Sequence, residues 1–320
     1  MRFLSLLIVL FVQINYPQNL LGQMVYFPKD TSFSVLSTFQ KEKKKFPNIQ
    51  IAQVKSDNVK ISTNITYKNV EHRDLKVDIF EPRILHKNVG IVLIHGGGWR
   101  SGDKTHMHQL SLALAEKGYT CVAVEYRLSL EAKYPAAVED IQDAICWMKQ
   151  NAQKLNIDPN NIICLGTSSG GQLAALVGAL NKLIEKEKIK RVHDPSVKAV
   201  VNIDGLLSFT HPDAKEGSLA SEWLGGDIKK ASDNWKEASA LTHLSKNSSP
   251  MLFITSSYKR FSAGKNEVKT KYKEWNIHVE ELHFEQSPHT FWYFHPWFIP
   301  TVNKVDSYIS ILTNSESLKI

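Results

Sequence analysis

One short stretch of the sequence combines a nucleophile with the glycines that expose it. Residues 166–170 read GTSSG and fit the pattern G-x-S-x-G. An apolar run typical of a strand precedes them (161–166), and a run with helical spacing follows (170–180). A strand–turn–helix of this kind lifts one serine to a sheet edge, at the positive end of a helix. The pattern predicts Ser168 as the nucleophile, with the backbone N–H of Ser169 facing a developing oxyanion.

A second motif follows another apolar strand. Residues 90–95 read GIVLIH, and the loop that continues them reads HGGGW over 95–99. Glycines let a backbone approach a ligand closely and aim its N–H groups at it. The loop lacks the Lys-Ser/Thr pair of a nucleotide P-loop. We therefore predict that the N–H groups of Gly97 and Gly98 complete an oxyanion hole, and that His95 holds the loop in place.

The glycine loop and the serine turn, in this order, resemble the α/β-hydrolase family. The resemblance is strongest to its esterase branch, near hormone-sensitive-lipase-like enzymes and bacterial carbohydrate esterases. Residues 124–129, 134–148 and 156–176 also look like esterase segments, and the likeness covers about residues 75 to 310. It implies a three-layer α/β-hydrolase fold with an eight-stranded, mostly parallel sheet. It also implies a serine mechanism that needs no metal and no organic cofactor.

The resemblance places the general base late in the chain, after the last strand. The stretch SPHTFWYFHPWF (287–298) supplies two candidates, His289 and His295. His289 follows the last predicted strand (278–284) by a few residues and is favoured for that position. His295 lies among Phe, Trp and Pro residues, which indicates packing.

The third member of the triad is missing from its usual place. In this family the acid usually follows the seventh strand, but here that strand (251–255) is followed by residues 256–260, which read SSYKR. Two substitutes are credible, Asp204 at the end of the preceding strand and Glu267 further along the chain. Asp204 is favoured because a strand end is a better fixed platform than a loop.

Three further residues are predicted to bind substrate. Arg260, near the vacated acid position, is able to bind a substrate carboxylate such as that of a uronic acid, or to pair with Glu267. Trp99 ends the glycine loop. Trp292 belongs to an aromatic cluster that forms either core packing or a wall on which a sugar or aryl ring stacks.

Strand-like and helix-like runs alternate from residue 60 onward. Most strands are apolar on both faces, which predicts a mostly parallel sheet covered by helices. A stretch with small polar residues and two tryptophans breaks the alternation and predicts a small lid or cap (206–249). The predicted strands are 76–82, 90–95, 120–128, 161–166, 197–205, 251–255 and 278–284, and the predicted helices are 107–118, 136–155, 170–180 and 305–314.

The N-terminal residues are predicted to direct export. Residues 3–12 read FLSLLIVLFV, a run of signal-peptide length that is too short to span a bilayer. We expect a signal peptide over 1–23, an N-terminal extension over 24–59 and the α/β-hydrolase domain over 60–320. The protein is then secreted or periplasmic, with no stable membrane span after processing. The alternative for these residues is an N-terminal membrane anchor or a buried helix.

The charge of the chain bears on its binding partners, and its cysteine content bears on disulfide bonds. The net charge is +7, and part of the excess lies in KEKKK (41–45). This run is interpreted either as a solvated tail, which is favoured, or as an attraction to an anionic polysaccharide. No aromatic residue is interleaved with it, so no nucleic-acid partner is expected. The three cysteines are too few for a disulfide framework and are expected to be buried, although one bridge remains open.

Together these features predict a serine esterase acting on an ester-bearing carbohydrate. Export, basic charge and the aromatic tail (287–298) favour a carbohydrate ester. The tail also resembles that of a subgroup of exported bacterial esterases associated with plant or algal polysaccharides. The resemblance implies removal of acetyl groups first, with feruloyl or methyl esters next. Three alternatives remain open: a small-ester lipase or esterase, a non-catalytic protein that kept the fold, and a peptidase of the same fold, which the HGGG loop disfavours.

Overall fold

A central sheet of eight strands positions the catalytic motifs. The computed structural model describes residues 30–71, 73–181 and 194–314. The strands in that part of the chain are β1 (Gln50–Ile51), β2 (Val59–Val70), β3 (Arg73–Pro82), β4 (Gly90–Ile94), β5 (Thr120–Val124), β6 (Ile162–Thr167), β7 (Ala199–Ile203), β8 (Met251–Ser256), β9 (Val279–Phe284) and β10 (Phe294–His295).

The large sheet has the order β2-β3-β5-β4-β6-β7-β8-β9, and β1 pairs separately with β10. The two pairs at the β2 edge are antiparallel and the other five pairs are parallel. The predicted eight-stranded, mostly parallel sheet is confirmed. The sequence pattern missed β2, because this edge strand is largely exposed and polar and lacks a buried face.

Helices cover both faces of the sheet. In the described chain they are α1 (Val35–Glu42), α2 (His108–Ala115), α3 (Ala136–Gln150), α4 (Ser169–Ala179), α5 (Ser218–Trp223), α6 (Ser232–Glu237), α7 (Ala240–His243), α8 (Lys265–Glu274) and α9 (Phe298–Asn314). Alternate residues of β4 serve the two layers: Ile91 and Leu93 pack with α2 and α9, and Val92 and Ile94 pack with α3 and α4.

Helix ends differ from the predicted ones. The helix predicted over 136–155 ends at Gln150. The last helix begins at Phe298 rather than at 305, and Pro300 lies in its first turn, where proline is tolerated. The aromatic and proline residues at its start concealed the helical spacing.

The segment 206–249 forms a cap over one end of the sheet. It contains the short helices α5, α6 and α7, and its aromatic residues are buried in the core. Trp223 stacks on Trp99 of the glycine loop, with ring centroids 5.2 Å apart. The cap is therefore packed directly against the loop that carries the predicted oxyanion donors.

The described part of the predicted N-terminal extension also packs against the body of the protein. Asp30 pairs with Arg100 at 2.8 Å, and β1 pairs with β10. The lysine run is solvent-exposed, as predicted, but it is not a tail, because Lys41 lies in α1 and Lys45 Nζ lies 3.3 Å from the Tyr258 hydroxyl.

The predicted signal peptide lies outside the described residues. Within 30–71, 73–181 and 194–314, the helices are too short or too polar to cross a bilayer. All three cysteines are buried and none of them forms a disulfide, so the bridge that the sequence left open is absent.

Close approach between β6 and α4 explains the glycines around Ser168. A Cβ on Gly166 would lie 1.9 Å from the Gly170 carbonyl oxygen, and a Cβ on Gly170 would lie 2.3 Å from the Ile94 carbonyl oxygen. Backbone atoms are the obstacle in both cases, so a rotamer change cannot relieve the overlap.

We predict that Gly166→Ala lowers the free energy of unfolding by about 3 kcal/mol, because the new methyl group displaces backbone at the strand–helix junction. Urea unfolding measures this loss. Gly217→Ala is the matched control, because a Cβ there meets no atom within 4 Å. Equal stability of the two variants would show that the junction is not tightly packed.

Candidate active site

Two neighbouring strands deliver Ser168 and Asp204 to the same edge of the sheet. In the parallel pair β6–β7, Gly166 lies opposite Asn202 and Thr167 opposite Ile203. Ser168 directly follows β6 and Asp204 directly follows β7, so the register of the two strands brings them side by side. Both have positive φ, 53° and 48°, which is costly for residues other than glycine. Strained turns at both strand ends thus direct these two side chains.

His289 joins them from the loop after β9. Its Nε2 lies 2.8 Å from Ser168 Oγ, and its Nδ1 lies 2.8 Å from Asp204 Oδ2. The three side chains form a continuous hydrogen-bonded chain. The other candidate base, His295, lies in β10 opposite Gln50 and is not part of this arrangement.

The Asp204 carboxylate is fully buried and well supplied with donors. The Ser256 N–H donates to Oδ1 at 2.8 Å, and the Ser256 hydroxyl donates to Oδ2. Ser256 ends β8, the strand whose following loop lacks a carboxylate. That strand end therefore contributes donors to the acid of its neighbour.

Glu267 lies elsewhere. It belongs to the first turn of α8, and its carboxylate pairs with His211 at 3.0 Å. The structure therefore brings Asp204, and not Glu267, to His289. The pairing of Arg260 with Glu267 is also not observed, since Arg260 Nε lies 3.9 Å from Glu216 Oε1.

Aromatic rings fix the orientation of the His289 imidazole. Phe261 stacks on one face, with ring planes 11° apart, and Trp292 meets the ring edge-on with centroids 5.2 Å apart. Trp292 is only 2% exposed, so it packs against the histidine more than it presents a surface. Phe261 was missed from the sequence, because a lone Phe in a polar loop gives no signal.

Two hydrogen bonds orient the peptides of the glycine loop. The Gly96 carbonyl accepts from Nδ1 of His95 at 2.8 Å, and the Gly97 carbonyl accepts from the Ser101 hydroxyl at 2.9 Å. In a trans peptide the carbonyl and the following N–H point in opposite directions. The N–H groups of Gly97 and Gly98 therefore point away from His95 and Ser101, and both glycines line the cavity at Ser168.

Ser169 provides the other predicted donor. It is the first residue of α4, where the N–H groups have no partner within the helix and the helix dipole favours negative charge. Ser169 lines the same cavity as the two glycines. The arrangement offers backbone donors from two sides beside Ser168 Oγ.

His95 is a structural residue of the loop. Its ring is buried, stacks on Tyr126 at 4.5 Å, and its own carbonyl accepts from the Tyr126 hydroxyl at 2.8 Å. Burial lowers the pKa of His95 to about 4, so the ring is neutral near pH 7 and Nδ1–H is available to Gly96.

A cavity of about 940 Å³ opens onto the triad. Its walls come from the glycine loop, from the cap with the loop after β8, and from the N-terminal segment through Phe33, Thr38, Lys41 and Lys45. Residues before 59 were not predicted to reach the site, because the β1–β10 pairing that holds them there is a long-range contact.

The predicted substrate-binding residues differ in exposure. Arg260 lines the cavity with 45% of its side chain exposed and lies over the Phe261 ring. Trp99 also lines it but is 3% exposed, and its indole N–H donates to Gln172 at 2.9 Å. Trp99 is therefore chiefly a packing residue between the loop and the cap.

The fold and this strand-end geometry define an α/β-hydrolase. The nucleophile turn follows β6, the acid follows β7 and the histidine follows β9, with helices on both faces of the sheet. The sequence model of the BD-FAE family, an α/β-hydrolase family, matches residues 77–260, more than half of the chain. The chain belongs to the BD-FAE family.

Curated relatives are esterases by name. An arylesterase of Saccharolobus solfataricus is 31% identical over 196 residues, which cover 61% of this chain and 59% of the relative. Esterase LipC of Mycobacterium tuberculosis is 28% identical over 171 residues, covering 51% of this chain and 42% of LipC. The chain thus spans about half the length of these relatives.

Solved structures share the fold. A truncated carbohydrate esterase from gut microbiota has a TM-score of 0.68 at 21% identity, covering 81% of this chain and 99% of that chain. Esterase 2 of Thermogutta terrifontis has a TM-score of 0.65 at 23% identity, covering 80% and 93%. At this identity the likeness establishes the architecture.

The buried His95 predicts a loss of stability in acid. The unfolded histidine titrates near its ordinary pKa of about 6.5, whereas the folded one titrates at about 4. Between these values the unfolded chain binds a proton that the folded chain does not, so its stability contribution is present above pH 6.5 and is lost as the pH falls.

We predict that His95→Asn, which keeps a donor for Gly96, loses about 2 kcal/mol less unfolding free energy between pH 7 and pH 4.5 than the wild type. Urea titrations at both pH values measure the difference. Parallel losses in the two proteins would contradict the neutral, buried state of His95.

Proposed function

We propose that the protein is a serine esterase that hydrolyses carboxylic esters. Its substrates are acetyl esters of plant or algal polysaccharides, with feruloyl or methyl esters as the next class. The observation that carries the proposal is the hydrogen-bonded chain Ser168–His289–Asp204 at the base of a cavity lined by the glycine loop.

In the acylation step, Ser168 Oγ attacks the ester carbonyl while His289 Nε2 takes the serine proton. Asp204 keeps the proton of the neutral imidazole on Nδ1 and stabilises the imidazolium that forms. The N–H of Ser169 and those of Gly97 and Gly98 bind the tetrahedral oxyanion, and losing one such donor costs roughly 3–4 kcal/mol. His289 then protonates the leaving alcohol, and the acyl group stays on Ser168.

In the deacylation step, water replaces the alcohol. His289 takes a proton from the water, the resulting hydroxide attacks the acyl carbonyl, and the same donors hold the second oxyanion. Collapse of this intermediate releases the carboxylic acid and returns the proton to Ser168 Oγ. The residues named here suffice for both steps.

A carbohydrate substrate is supported by the walls of the cavity. Lys41, Lys45 and Arg260 line the cavity together with Glu42 and Glu216, so charged and hydrogen-bonding groups of both signs face a polar, hydroxyl-rich ligand. The cavity, about 940 Å³, is larger than a small acyl group requires. Pockets of roughly 300–1,000 Å³ hold drug-sized ligands, which are about as large as one or two sugar rings. Among proteins of the same fold is a carbohydrate esterase from gut microbiota.

Export is part of the proposal and depends on the sequence alone. The apolar run over 3–12 is followed at once by polar residues, as in a signal peptide. An extracellular or periplasmic location would bring the protein to polymeric substrates that do not enter a cell.

We predict that Asp204→Asn lowers kcat for p-nitrophenyl acetate by roughly 10³- to 10⁴-fold, because the amide no longer holds the productive imidazole tautomer. The kcat of Glu267→Gln should stay close to that of the wild type, since Glu267, on α8, pairs with His211. Steady-state rates of the two variants test the assignment, and the reverse pattern would make Glu267 the acid.

The substrate class is tested with polymers. We expect the wild type to release acetate from acetylated xylan, or methanol or ferulate from pectin and feruloylated arabinoxylan, and Ser168→Ala to release none. Cleavage of p-nitrophenyl acetate without release from any polymer would reduce the proposal to a small-ester hydrolase.

A serine-directed phosphonate separates an enzyme from a binding protein with the same fold. Labelling of the wild type but not of Ser168→Ala is the expected result. Absence of labelling together with absence of ester cleavage would leave the non-catalytic alternative.

A further inference from the structure

Besides Asp204, two carboxylates that the triad does not use line the cavity, those of Glu42 and Glu216, and of these Glu216 lies deeper in the protein. Glu216 comes from the cap, just before α5, and its side chain is only 8% exposed. Its Oε1 is buried and has no hydrogen-bond partner among the described residues. Glu216 lines the same cavity as Ser168 and His289.

Arg260 and His289 lie close enough to Glu216 to act on its carboxylate electrostatically. Arg260 is the closest cation, with Nε 3.9 Å from Oε1, a distance for charge attraction but too long for a hydrogen bond. Burial raises the pKa of Glu216, and the charges of Arg260 and His289 oppose that rise. The Arg260 guanidinium lies over the Phe261 ring, 4.4 Å from the ring centroid, and Phe261 in turn stacks on His289.

A buried carboxylate oxygen without a donor is costly, and native proteins rarely leave one. A donor that arrives with the substrate removes the cost only in the complex. The ester carbonyl brings no donor, and neither do acetyl or methyl groups. A hydroxyl group on the alcohol part of the ester does, and a sugar carries several.

We propose that Glu216 is a specificity residue that accepts a hydrogen bond from a free hydroxyl of the alcohol moiety, next to the ester that Ser168 attacks. The ligand class is a polyhydroxylated ring alcohol, and Arg260 faces the same group as a donor to its oxygens. This inference rests on the proposed esterase function and adds to it a residue that distinguishes sugar esters from plain alkyl esters.

A second role for Glu216 is conceivable from its position, namely an electrostatic effect on His289. The two roles give different results. An effect on His289 changes the proton transfer for every ester and shifts the pH dependence of kcat/KM. Hydroxyl recognition changes the preference between esters and leaves the shape of the pH profile in place.

The experiment compares two acetates of similar ring size, monoacetylated methyl β-xyloside, which has free hydroxyls, and cyclohexyl acetate, which has none. We expect Glu216→Leu to lower the ratio of their kcat/KM values by about 10- to 100-fold, the effect of losing a hydrogen bond to a charged group. Glu216→Gln keeps one acceptor and should fall between Glu216→Leu and the wild type.

Glu267→Leu is the matched control, since it removes a glutamate that pairs with His211 outside this cavity. Its ratio should equal that of the wild type. Phosphonate labelling of Ser168 verifies that each variant is folded, and Glu216→Gln still tests the proposal if the leucine variant does not fold.

A ratio in Glu216→Leu equal to that of the wild type would overturn the inference. Equal losses on both acetates with a shifted pH profile would overturn it as well, in favour of the electrostatic role. If the wild type cleaves neither acetate nor p-nitrophenyl acetate, the proposed esterase function itself fails, and this outcome is distinct from the other two.

Discussion

The Asp204 carboxylate is fully buried. It accepts three hydrogen bonds, from the N–H and the hydroxyl of Ser256 and from Nδ1 of His289. A buried charge held in this way is stable only while its partners stay in place. The strand ends of β6, β7 and β8 and the loop after β9 therefore have to meet at one point. The register of the parallel strands meets this requirement, because it sets Ser168 beside Asp204 before any side chain is placed.

The fold was predictable because its strands are buried on both faces, so that β4 to β8 stand out as continuous apolar runs. The edge strand β2 was not, since an exposed, polar strand is defined by its pairing with β3 and not by its own pattern. The last helix was predicted too short for a related reason. Pro300 and the aromatic residues around it obscure the helical spacing in the first turn of α9.

The candidate site divides in the same way. Motifs with local spacing, the serine turn and the glycine loop, were found from the sequence together with His289 and Asp204. Residues that act through tertiary contacts were not: Ser256, Phe261, Glu216 and the N-terminal wall with Phe33 and Thr38. Each lies in a segment whose own composition is ordinary. Their significance comes from what the fold places opposite them, which a single sequence does not encode locally.

The position of the acid has an evolutionary consequence. Because the acid directly follows β7, the loop after β8 carries no member of the Ser168–His289–Asp204 relay. Ser256, at the end of β8, donates hydrogen bonds to the acid. Tyr258 and Arg260, further along that loop, face the substrate cavity. Substitutions of Tyr258 or Arg260 can change which ligand the cavity accepts while the relay stays intact, as long as Phe261 keeps its stacking on His289. Separating these two duties onto different strands gives the protein a segment in which new preferences can arise by drift.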